Sequence, residues 1–159
     1  MLKPLEQWYC DSCGEVIASP REGRIEWIVE NDVANAFRIV HHASASPRYP
    51  GGNCHDDTAH HGRQETSLDR CVGLAGLPWS LSFLDLGPVH DPDEQRTMRV
   101  RSVREFVEIM RRLTLPYYEE ARTLWGIATE SGFFEGGRNE IAVYLPETLK
   151  ALIAQYGDT

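Results

Sequence analysis

Cys10 and Cys13 are separated by two residues, and Gly14 follows them. Two thiolates at that spacing can point at one metal ion, and a glycine lets the backbone turn tightly enough to aim them. A tetrahedral ion takes four ligands. The chain offers His41, His42, Cys54 and His55 downstream, with little else of suitable chemistry nearer. The expected set is Cys10, Cys13, His41 and Cys54, with Zn2+ as the cofactor. His42 competes with His41, and His55 with Cys54. His41 is preferred because strand alternation places it on the face of Phe37 and Ile39, which must point inward. Four protein ligands close the shell to water, so such a site is structural.

Cys10-Asp11-Ser12-Cys13-Gly14 and the hairpin pattern after it resemble zinc-ribbon or treble-clef-like modules over about residues 7–55. That resemblance implies a fold and a metal, with no activity attached. Typical members close with a second Cys-x2-Cys. Here a His-His pair and the single Cys54 stand in its place. A second resemblance is to the ββα-metal nucleases, through His42, Asn53 and His61, spaced 11 and 8 residues apart around Gly51-Gly52. It implies a histidine that activates water and another that holds a catalytic divalent ion. Against it, no Asp or Glu stands beside His42, and no helical pattern carries His61.

The elements that must position these residues follow from local patterns. Trp8-Tyr9 reads as a short strand entering the cysteine turn, and Ser19 to Gly23 as a turn of breaker residues. Arg24–Glu30 is β-branched and aromatic, Asn31-Asp32 is its connection, and Ala36–His41 alternates as the hairpin partner. Residues 43–66 are polar and rich in Gly, Pro, Ser and His, with Tyr49 as the large apolar exception. Ligation by Cys54 would hold such a loop. Leu68 to Leu86 is expected to be core, and Gly87 to Gln95 a connection. Ser102-Val103-Arg104-Glu105 is a capping-box pattern. Val103, Phe106, Val107, Met110 and Leu113 then repeat at helical spacing as one buried face. Pro116 opens a second helix through Tyr117, Ala121, Leu124, Trp125 and Ala128, which Gly132 ends. Gly136-Gly137 is a turn and Ile141–Leu145 is strand-like. Pro146 starts a last helix through Leu149, Leu152, Ile153 and Tyr156 that stops at Gly157.

Arg96, Arg99, Arg101, Arg104, Arg111 and Arg112 put six arginines in seventeen residues. Pairs such as Arg101–Glu105, Arg104–Glu108 and Glu108–Arg112 have the four-residue spacing of a salt-bridged solvent face. That favours a surface helix over a phosphate-binding one. Cys71 is expected to be a buried, inert thiol, and Trp79, Trp125, Tyr117 and Tyr118 are expected to be core.

The chain has 159 residues and a formal net charge of −8, with 42% hydrophobic and 25% charged residues. That is the composition of an ordinary soluble protein, and the negative charge disfavours non-specific nucleic-acid binding. No charged n-region followed by an apolar h-region opens the sequence, and no run is long enough to span a bilayer. The expected location is therefore cytoplasmic, where four cysteines are thiols or metal ligands rather than disulfides. The expected fold is α+β: a small zinc-binding β-hairpin module over residues 1–63, packed on a mainly helical part over 64–159. The expected role is a non-enzymatic protein-interaction or regulatory module with a protein partner, no membrane and no nucleic acid. The alternatives are a metal-dependent nuclease and a DNA-binding regulator.

Overall fold

The computed structural model describes residues 1–55, 63–85, 99–135 and 139–157. The fold is α+β. Strands β1 (Trp8–Tyr9) and β2 (Val16–Ile17) form a minimal antiparallel hairpin, Trp8 opposite Ile17 and Tyr9 opposite Val16. Its turn carries Cys10 to Gly14. Strands β3 (Gly23–Glu30), β4 (Val33–His41) and β5 (Arg63–Ser67) form a second antiparallel sheet in the order β4-β3-β5. Asn31 and Asp32 join β3 to β4 with φ of 52° and 62°. Asn and Asp tolerate that left-handed region, and it matches the twist of a two-residue hairpin turn.

Register within the β3–β4 pair decides which side chains reach the cysteine turn. Glu26 stands opposite Arg38, but Ile28 stands opposite Asn35, so β4 carries one extra residue between them. Ala36, at φ 52°, lies in this bulge. Beyond the bulge, Ile25 pairs with Ile39 and Gly23 with His41. One sheet face carries Ile25, Trp27, Phe37 and Ile39. The other carries Arg24, Glu26, Arg38 and Glu65.

Among the described residues five helices follow: α1 (Gly73–Leu81), α2 (Val103–Thr114), α3 (Tyr118–Ala121), α4 (Trp125–Glu130) and α5 (Pro146–Tyr156). The apolar sheet face and the small hairpin share a core with α2, in which Trp8, Ile17, Ile25, Ile39 and Leu68 meet Ile109 and Leu113. Beside it Trp27, Phe37, Trp79, Phe83 and Phe106 form an aromatic cluster with ring centroids 5.1–6.1 Å apart. A second core joins α3, α4 and α5 through Tyr118, Ala121, Ala128, Leu149, Leu152, Ile153 and Tyr156. Leu68 and Cys71 lie in the same core as Trp8 and Ile39.

The expected last helix is present, as is the cap on α2, where Ser102 Oγ accepts from the Glu105 N–H at 3.2 Å. Gly132, at φ 71°, ends α4, and the Phe133 N–H reaches back to Ala128 O at 2.9 Å. That is the Schellman arrangement.

Several expectations are corrected. Ile141–Leu145 is not a strand. Asn139 Oδ1 accepts from the N–H groups of Ile141 and Ala142, at 3.1 and 2.8 Å, and this cap starts a 3-10 turn over Ala142–Tyr144. The helix after Pro116 is two short helices, α3 and α4, joined by a 3-10 turn. Leu74, at 88% exposure, and Leu81 are not core. Helix α1 turns Gly76 and Ser80 inward instead, and a Cβ on Gly76 would lie 1.9 Å from the Cys71 carbonyl carbon. Helix α2 buries Phe106 and Leu113 as expected, but with Ile109 and Arg112, while Val103 is exposed. The expected connection over Gly87–Gln95 and the turn at Gly136-Gly137 lie outside the described residues.

Candidate metal centre

The turn between β1 and β2 folds on its own backbone. The Cys10 N–H donates to Glu15 O and the Gly14 N–H to Cys10 O, each at 2.9 Å. Gly14 has φ 80°, where a side chain would add strain. Asp11 anchors the turn to the larger sheet: its N–H donates to Ile39 O at 2.8 Å, and its Oδ2 accepts from the Ile39 N–H at 2.7 Å. Since Ile39 is two residues before His41, this pair of hydrogen bonds fixes the turn against the end of β4, where His41 sits. The polar loop then brings in Cys54. Ser46 Oγ accepts from the Cys54 N–H at 3.1 Å and lies 3.2 Å from Cys54 Sγ. Arg48 ties the loop to the turn by donating to Ser12 O at 2.9 Å and Ser12 Oγ at 3.2 Å.

These contacts bring Cys10, Cys13, His41 and Cys54 together with their ligand atoms all within 4.8 Å of one another. Donors at the corners of a tetrahedron with bonds of about 2.0–2.3 Å stand roughly 3.4–3.8 Å apart. Cys13 Sγ and His41 Nδ1 lie 3.6 Å apart, within that range. His41 Nε2 faces Val16 O at 3.3 Å. A backbone carbonyl on the second ring nitrogen fixes the ring so that the first can ligate. Cys10 and Cys54 are each 2% exposed and His41 4%, with Cys13 the more open corner. The cluster is a Cys3His set compatible with metal binding.

The thiols differ in their protons. Burial raises Cys10, but backbone hydrogen bonds from Ser12, Cys13 and His41 outweigh it and bring the group down to about 7. Burial pushes Cys13 up to about 12, with the Cys54 and Cys10 sulfurs adding to the shift. One thiolate is thus favoured and a second is suppressed beside it, as for any two acidic groups close enough for their charges to repel.

Both competing histidines point elsewhere. His42 Nε2 accepts from Arg24 Nη2 at 2.8 Å and its Nδ1 lies 3.0 Å from Ser44 Oγ. His55 lies between two carboxylates, with Nδ1 2.9 Å from Glu26 and Nε2 3.4 Å from Glu65. His61 lies outside the described residues. Cys71 is buried in the core, and burial pushes its thiol up to about 12.

Arg112 corrects the reading of the arginines. It is buried rather than part of a solvent face, and it donates to Asp11 Oδ2 at 2.7 Å, to Glu119 at 2.7 and 3.0 Å, and to Tyr9 O at 3.2 Å. Burial opposes its charge, but Glu119 and then Asp11 outweigh that and hold its pKa above the ordinary value. Trp8 Nε1 donates to Arg112 O at 3.0 Å. The cysteine turn is therefore tied to helix α2 across 101 residues of sequence. Elsewhere on this stretch Arg101 pairs with Glu30, Glu108 accepts from the Tyr118 hydroxyl at 2.5 Å, and Arg111 lies over the Tyr144 ring at 4.0 Å. Arg96 lies outside the described residues.

Sequence reasoning did not find Asp11, Ser46, Arg48 or Arg112 as supports of the site. Asp11 carried a signal in its place between the cysteines; the partnership with Arg112 depends on tertiary docking alone. Among the described residues no helix is long and apolar enough to cross a membrane. The chain matches no family model, no curated protein and no solved structure.

Proposed function

We propose that this chain is a non-enzymatic zinc protein, in which one Zn2+ held by Cys10, Cys13, His41 and Cys54 organises a zinc-ribbon-like module used for protein contacts or regulation. The observation that carries the reading is the convergence of three sulfurs and one imidazole nitrogen, from a turn, a strand end and a loop, within 4.8 Å. Thiolates with imidazole suit zinc, whereas magnesium and calcium take oxygen donors. Four protein donors leave no corner for a reacting water, which favours a structural role over hydrolysis. The stabilising logic is local. Strands β1 and β2 have two residues each, too short to hold by pairing alone, and the loop carrying Cys54 is largely polar. A metal joining turn, strand and loop supplies what that region's small core does not.

Replacing Cys10 or Cys13 by Ser tests this reading. The expected result is loss of the metal and a lower melting temperature. Metal-free protein as stable and as well folded as the wild type would overturn it.

A further inference from the structure

Helix α3 belongs to the second core, yet its charges are completed by the cysteine turn of the first. All four of its residues are buried. Tyr118 and Ala121 pack with α5. Glu119 and Glu120 meet the N-terminal segment instead: the Tyr9 N–H donates to Glu119 Oε1 at 3.1 Å and the Leu2 N–H to Glu120 Oε2 at 2.6 Å. Glutamate is almost never buried unless it is paired. Arg112 gives Glu119 hydrogen bonds at 2.7 and 3.0 Å, and Arg122 gives it two more at 3.2 and 3.0 Å. Arg112 also reaches Asp11 Oδ2 and the Tyr9 carbonyl. The residues on both sides of Cys10 are thus gripped by α2 and α3. Asp11 in turn holds Ile39, two residues before His41.

Within this group the guanidiniums of Arg112 and Arg122 meet the carboxylates of Asp11 and Glu119. When Asp11 leaves, two cations share the single carboxylate of Glu119, and a buried charge without its partner is costly. The element with two states is the cysteine hairpin. Its strands β1 and β2 pair over two residues each, and so short a hairpin is marginal without further ties. Where the hairpin is loose, Tyr9 and Asp11 withdraw from Arg112 and Glu119. Where it is fixed, α2 and α3 close against it. We propose that metal occupancy at Cys10, Cys13, His41 and Cys54 and the docking of α3 are one linked equilibrium, carried by Asp11, Arg112 and Glu119, so that the loaded state of the turn is read out in the α3–α5 core. This inference rests on the metal reading above. Linkage is reciprocal: an ion that favours the docked turn is held more tightly by a protein whose docking is intact. Arg112 is then a positioning residue, acting on the ligands through Asp11 and Tyr9.

The sign of the effect separates linkage from a direct field. Taking a positive charge away from the neighbourhood of a cation favours that cation, so a field effect alone makes Arg112→Met bind zinc more tightly. Linkage makes it bind more weakly. The test measures zinc affinity of the full chain by competition with a chromophoric chelator, and cobalt(II) spectra of the same samples report whether the sulfur donors are unchanged. Arg112→Met should bind zinc about tenfold more weakly, within the usual span of coupling between sites, with an unchanged cobalt spectrum. Phe83→Leu, a destabilising change in the aromatic cluster, should keep the wild-type affinity. Hydrogen exchange on the wild type forms the second arm. Removing zinc should speed exchange at Arg112 Nε–H, at the Trp8 indole N–H bonded to Arg112 O, and at the Ala121 N–H bonded to Tyr117 O. The Arg101 N–H, bonded to Ala34 O, should keep its rate. Equal or tighter zinc binding by Arg112→Met would overturn the proposal, as would an equal loss in Phe83→Leu or exchange at Arg112 and Ala121 that ignores zinc. A wild type that takes up neither zinc nor cobalt overturns the metal reading and this proposal with it; full uptake with wild-type affinity in Arg112→Met overturns this proposal alone. If Arg112→Met does not fold, Arg122→Gln, at 24% side-chain exposure, decides by the same sign.

Discussion

Arg112→Met is the change that most severely tests how the cysteine turn is docked. The methionine keeps much of the volume and removes the charge. It leaves Glu119 buried and Asp11 partly buried without their guanidinium, and breaking a buried pair from one side costs about 3–5 kcal/mol. Two features reduce that figure. Arg122 still donates to Glu119 at 3.0 and 3.2 Å and stands 3.7 Å from Asp11, and the Asp11 side chain is 22% exposed. The expected loss is therefore about 3 kcal/mol, the lower end of the range. For a chain of this size that is roughly 6–12 °C in melting temperature. Arg101→Met is the control, since Arg101 and Glu30 are both more than half exposed; it should cost no more than about 1 kcal/mol. Urea denaturation of both variants, with metal content equalised, measures the difference. If Arg112→Met were as mild as Arg101→Met, the ion pair would not hold the turn on α2, and the account of the docking would fail.

Three further expectations follow from the site. Zinc binding should release more protons at pH 6 than at pH 8, because the Cys10 thiol, brought down to about 7 in the metal-free protein, largely keeps its proton at pH 6 and has largely lost it at pH 8, while Cys13, pushed up to about 12, gives up its own at both. Calorimetry in buffers of different ionisation enthalpy counts them, and a release independent of pH would contradict the Cys10 assignment. Gly14→Ala should lower stability by about 1–2 kcal/mol through its positive φ alone, as nothing crowds a Cβ there; Gly126→Ala, inside helix α4 with equally open space, should be neutral or stabilising. The protein should not cut DNA or RNA with added magnesium, manganese or nickel, and cleavage that disappears in His42→Ala and His61→Ala would refute the closed-shell reading.

The parts legible in the sequence are those in which local chemistry and fold agree. Cys10-x2-Cys13-Gly14 marks a tight turn whatever surrounds it, and the alternation of Phe37, Ile39 and His41 selects the inward histidine. Helix α5 is bounded by Pro146 and Gly157 as its pattern requires. What escaped depends on partners far along the chain. Arg112 looks like a surface residue until Asp11 and Glu119 close on it. Glu26 looks like the polar side of a strand until Arg38, Arg63 and His55 surround it. Ile141–Leu145 has strand propensity but no partner strand, so the Asn139 cap decides its conformation. Leu74 reads as core by hydrophobicity, yet α1 approaches the chain at Cys71 so closely that glycine must face inward.

X-ray absorption at the zinc edge on the purified protein tests the central claim most directly. The account predicts one zinc per chain, with three sulfurs at about 2.3 Å and one nitrogen at about 2.0–2.1 Å. Cys54→Ser should lower the sulfur count to two. A shell dominated by oxygen, a histidine-free sulfur shell, or protein that is fully folded with no metal would contradict it.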